Sequence, residues 1–158
     1  MKHMGIFAAL GVSLAMSCAS DRNAARTQNA SSAPVALLQP KVTQLSEAPA
    51  ARPKAGSPAQ IRHLARGENA FLGHLVLGPG MKVPVHRDPT EEYLYILTGA
   101  GTLFIDGKAY EIRAGHAVFM PANAEVHFQN GPEELRAIQV FAGPEPAKKY
   151  DKWVPDNG

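Results

Sequence analysis

The stretch from His86 to Glu92, HRDPTEE, places one imidazole and three carboxylates within seven residues. An apolar, aromatic run from Tyr93 to Thr98 follows and stops at Gly99. Side chains alternate across an extended strand, so a spacing of two puts His86 and Asp88 on one face. Glu92 shares that parity when no bulge intervenes, and Glu91 then points the other way, toward a surface cation. Pro89 interrupts a strand, which makes Glu92's side the least constrained of the three. An imidazole and two carboxylates aimed at one point can hold a divalent metal and leave coordination positions open. Without an ion, the same set is costly to bury. The bland alternative is a charged strand end that pairs with Arg87 or Lys82.

The elements that must position these groups are short. From Ile61 onward, apolar runs alternate with turn signals, and no helix-length periodic stretch occurs between Phe71 and Pro144. The clearest local signal is TLFIDGKAYEI, two β-prone runs joined by Asp106-Gly107, a dipeptide suited to a two-residue hairpin turn. Several such strands at close spacing predict an all-β sandwich or barrel. There is no tandem repeat.

Two motifs on these strands resemble those of the cupin superfamily, of single-domain type. The first runs Gly80, five residues, His86, one residue, Asp88, three residues, Glu92, six residues, Gly99; Asp88 stands where the family has a second histidine. The second runs Gly115, five residues, Pro121, then Asn123 in place of the usual glycine, and on to Asn130. Asn is among the residues best tolerated at positive φ, so that exchange is mild. The family's second-motif histidine falls on Val126, and His127 comes one residue late. A one-residue shift on a strand turns a side chain to the opposite face, so His127 reaches the cavity only through a bulge and is otherwise a surface histidine. The resemblance implies a double-stranded β-helix, or jelly-roll barrel, over residues 61–144. It also implies a homodimer. The metal set it implies is His86, Asp88 and Glu92, with His127 as the fourth candidate, and the ion would be Mn, Fe or Zn.

Length and composition fit one modest core: 158 residues, 45% hydrophobic, with a formal charge of +2. No basic run of five or more occurs, which argues against nucleic acid as a partner. Residues 1–17 have the charged start, apolar middle and small-residue end of an export signal. Cys18, the only cysteine, ends a segment, LAMSC, that resembles a bacterial lipobox. Cys18 is therefore expected to be lipidated, anchoring the exported protein to a membrane of the cell envelope, facing the periplasm; ordinary cleavage that leaves a free thiol is the alternative. Residues 18–60, rich in Ala, Pro and Ser and without aromatics, read as a disordered linker. Residues 145–158 read as a tail whose Tyr150 and Trp153 dock on the domain without carrying chemistry.

Among the remaining polar residues, Gln139 interrupts an apolar strand and either faces the cavity or lies at an edge. His74 reads as a hydrogen-bonded core or edge histidine and His116 as solvated. Tyr93 and Tyr95 belong to the outer face or a subunit contact. Three functions stay open. The barrel binds a divalent metal, a small polar ligand, or both; it is a metal-dependent enzyme of dioxygenase, isomerase or lyase type; or it is a metal-free structural or partner-binding lipoprotein. Fold alone does not choose among them.

Overall fold

The computed structural model describes residues 39–156. The expected signal segment 1–17, the lipidation candidate Cys18 and the linker as far as residue 38 lie outside the described residues. The strands are β1 Ala50–Arg52, β2 Ala59–Arg66, β3 Phe71–Leu77, β4 Lys82–His86, β5 Glu92–Thr98 and β6 Ala100–Ile105. They continue with β7 Lys108–Arg113, β8 Ala117–Met120, β9 Val126–Asn130, β10 Leu135–Phe141 and β11 Val154–Pro155. Short 3-10 segments occupy Leu45–Glu47 and Pro146–Lys152.

These strands form two antiparallel sheets, as the turn-punctuated sequence predicts. One has seven strands in the order β11-β1-β2-β3-β10-β5-β8; the other has four, β4-β9-β6-β7. Their inner faces share a core that includes Leu77, Ile96 and Leu135 from the larger sheet and Leu103, Ile112 and Phe128 from the smaller. A second cluster, Ala51, Ile61, Phe71, Phe141, Ala147 and Tyr150, closes one end. Each fully buried large side chain is worth roughly 1.5–3 kcal/mol in removal from water.

Local chemistry sets the turns. Asp106 and Gly107 take φ of 47° and 79°, the paired positive values that a hairpin turn following the sheet's twist requires. Asn123 sits at φ 62°, the conformation that glycine would supply. Gly99 has φ 80°, and a Cβ there would meet the Glu134 carbonyl oxygen at 2.6 Å and Leu135 Cα at 2.7 Å. Only glycine lets β5 turn into β6 at this close approach.

Two boundaries differ from expectation. The linker predicted to reach residue 60 contains β1 and the start of β2, with Ala51 and Ala59 buried. Small residues with weak strand propensity are recruited there by pairing, since β1 lies between β2 and β11. The tail is equally structured. β11 pairs with β1, Arg52 Nε donates to Asp156 Oδ2 at 2.5 Å, and Ala147 and Tyr150 are buried.

Candidate metal and ligand site

His86 closes β4 in the smaller sheet, Glu92 opens β5 in the larger, and Asp88 lies in the loop that crosses between them. One ligand atom from each of the three lies within 4.8 Å of the others. The convergence does not come from one unbroken strand. It comes from a crossover between two facing sheets, which Pro89 interrupts without spoiling. The loop is tied to the second motif: the Asn123 N–H donates to the Asp88 carbonyl at 2.7 Å, and Arg87 donates to the Asn123 carbonyl at 2.6 Å.

Each donor has a support. His86 Nδ1 is 2.9 Å from the Pro84 carbonyl; a proton held there leaves Nε2 with its lone pair, 3.7 Å from Asp88 Oδ2. Glu92 is buried and accepts from Gln139 Nε2 at 2.6 Å through one carboxylate oxygen. Tyr150 donates to Gln139 Oε1 at 2.8 Å, so the amide's orientation is fixed from behind. Burial pushes the Glu92 carboxyl up to about 7; the neighbouring Asp88 carboxylate adds to the rise, while the Gln139 hydrogen bond and the Lys149 ammonium oppose it. Burial likewise pushes the Tyr150 phenol up, so it remains a proton donor. Lys149 Nζ reaches both Asp88 oxygens, at 2.9 and 3.2 Å.

The set fits a divalent ion in charge, with two carboxylates, and in reach. It forms one wall of a cavity of about 590 Å³ between the sheets. Away from these polar groups the cavity is bounded by side chains such as Leu75, Ile96, Leu103, Met120, Phe128 and Trp153. The pocket therefore has an apolar body and a single polar end.

His127 is not brought to the other three. Val126 lines the cavity and pairs directly with His86; the register shift of this strand pair lies on β4, between Val83 and His86, while β9 runs in unbroken register with β6, so His127 keeps to the opposite face. His127 instead stacks on Phe104, with ring centroids 4.2 Å apart. Gln139 faces the cavity, the first of the two placements open to it. Its parity with the buried Ala137 and Phe141 is the signal for that choice. Lys149 and Tyr150 join the site although the tail was expected to carry no chemistry; nothing in its local pattern marks Lys149, which lies 61 residues from Asp88. Glu91 accepts from Tyr93 at 2.7 Å rather than meeting a cation. His74 is buried on the β3 strand, and its Nδ1 has no hydrogen-bond partner among the described residues.

Residues 73–141 match the family described as "Cupin domain". A stretch of 78 residues is 42% identical to the dimethylsulfoniopropionate lyase DddW of Ruegeria pomeroyi, covering 49% of this chain and 51% of that protein. The chain thus spans about half the length of the first curated relatives it matches. A solved RmlC-like cupin from Shewanella frigidimarina superposes with a TM-score of 0.60 at 15% identity, over 66% of this chain and 92% of that one. A predicted oxalate decarboxylase from Thermotoga maritima superposes with a TM-score of 0.57 at 26% identity, over 65% and 99% of the two chains.

Proposed function

With residues 73–141 established as a cupin domain, we propose that this barrel binds a divalent metal through His86, Asp88 and Glu92 and seats a small molecule beside it. The observation that carries this reading is the convergence of those three donors, within 4.8 Å, on the wall of the cavity. A bound divalent ion supplies Lewis-acid polarisation of a ligand oxygen. The chain supplies the rest. Pro84 orients the His86 ring, and Gln139, backed by Tyr150, holds one oxygen of Glu92 and leaves the other available. The leucine, isoleucine and phenylalanine walls favour a ligand with an apolar body and one polar head, within the small polar ligands that the sequence predicts.

Full-length protein purified without chelators and reconstituted with Mn(II), Fe(II) or Zn(II) is expected to hold about one equivalent, and the His86→Ala variant none. Wild-type protein that stays empty after all three reconstitutions would overturn the proposal.

The identity shared with a lyase favours a second reading, in which the same pocket turns its ligand over. Cleavage of dimethylsulfoniopropionate by the metal-loaded chain, lost in His86→Ala, would support that reading. Absence of cleavage would leave binding as the function supported by the site.

A further inference from the structure

The site carries its own cation. Lys149, delivered by the Pro146–Lys152 segment, places Nζ 2.9 Å from Asp88 Oδ2 and 3.2 Å from Oδ1. Asp88 is the middle member of the donor set, and its side chain is only 14% exposed. Both of its oxygens are therefore engaged by an ammonium group before any other cation arrives. We infer that Lys149 is an internal counter-ion that a divalent metal must displace from Asp88, so that this one side chain sets the affinity of the site. The inference rests on the metal-binding reading above and adds to it the residue that decides how readily the metal enters.

The surroundings show which part moves. The segment bearing Lys149 is fixed: Ala147 is fully buried, and Tyr150 is buried with its hydroxyl on Gln139. The Tyr150 ring lies 5.8 Å from Phe71 and 4.8 Å from Trp153. The lysine side chain, by contrast, is 37% exposed and runs over the Phe141 ring, with Nζ 4.7 Å from its centroid. A four-carbon stem with a strongly hydrated head can swing to solvent while its backbone stays docked. Displacement therefore costs an ion pair and the ammonium's contacts with the Phe141 and Tyr150 rings, not the unfolding of the tail. Removing the ammonium also leaves the carboxylates of Asp88 and Glu92 without a neutralising charge, which attracts a divalent ion more strongly. Both effects have the same sign.

The test is a Mn(II) titration of the full-length wild type, Lys149→Met and Lys149→Arg, with His86→Ala as the reference lacking a donor. Methionine keeps the stem's packing on Phe141 without the charge; arginine keeps the charge. Lys149→Met is expected to bind Mn(II) about tenfold more tightly than wild type, the worth of one charge-assisted hydrogen bond, and Lys149→Arg no more tightly than wild type. A second measurement reads the displacement itself. Labelling of the Lys149 amine by an acylating reagent, followed by mass spectrometry, is expected to quicken when Mn(II) binds the wild type. Equal affinities in wild type and Lys149→Met, or labelling unchanged by bound Mn(II), would overturn the inference and leave the metal reading standing. Binding by Lys149→Met but not by the wild type would overturn the metal reading of the native chain, and with it the inference that rests on that reading. Failure of every variant to bind would remove the metal reading, and the inference with it.

Discussion

Replacing Glu92 with glutamine stabilises the metal-free protein at pH 8 by about 3 kcal/mol and leaves its stability at pH 4 unchanged. The prediction follows from burial. The Glu92 carboxyl is pushed up to about 7 in the folded chain, while in the unfolded chain it titrates at its ordinary value of 4.5. Below the unfolded value both states hold the proton, and the group is neutral in its effect. As pH rises between the two values, the unfolded state releases the proton and the folded state keeps it, so stability falls steadily and levels off above about 7. Glutamine mimics the protonated acid, can still accept from Gln139, and carries no charge to desolvate. Chemical unfolding of both proteins in the presence of a chelator, at the two pH values, checks the sign and the size. A gain of the same size at both pH values would show that Glu92 ionises normally in the fold. The variant also forfeits a charged metal donor, so the stabilising substitution is expected to abolish metal uptake. This is the usual relation between a functional site and the stability it withholds.

The second large effect is a gain. Val126 lines the cavity, is buried, and lies directly across from His86 in the β4–β9 pairing. Residues so paired project to the same side of a sheet. Val126→His therefore sets a second imidazole beside the first, completing four protein donors. Mn(II) affinity is expected to rise about 100-fold, at least what a supporting outer-shell group contributes to a metal site. The metal-free variant should lose about 1–3 kcal/mol of stability, because an unpartnered imidazole replaces an apolar side chain in the cavity wall. Calorimetric titration with Mn(II), beside melting curves with and without the ion, reads both consequences. An affinity no greater than that of the wild type would mean that position 126 does not look at the same point as His86.

Much of this site is legible in the sequence because turn chemistry is local. Asp106-Gly107 and Asn123 announce backbone conformations that depend on their own side chains, and the motif spacing between Gly80 and Asn130 follows from them. The placement of Val126 is legible for the same reason, since a strand's two-residue period needs no distant partner to state which side chain faces in. What is not legible is what long-range pairing decides. β1 and the start of β2 read as linker because alanine and proline promise no strand, yet β11 and the Arg52–Asp156 pair hold β1 in the sheet and β3 holds the start of β2. Lys149 reads as one more tail lysine, since its role depends on a segment docking against Phe71 and Phe141 and on a carboxylate 61 residues away. The grouping of His86, Asp88 and Glu92 is expected from strand parity, whereas the structure achieves it through a crossover between sheets. There the two routes agree on the outcome and differ on the cause.

The central claim is that one imidazole and two carboxylates share a single ion. Pulsed electron paramagnetic resonance of the Mn(II)-loaded protein counts imidazole nitrogens at the metal directly. The account predicts coupling to a single histidine nitrogen, abolished in His86→Ala and untouched in His127→Ala. Bound Mn(II) with no histidine coupling, or coupling that survives the loss of His86, would contradict it.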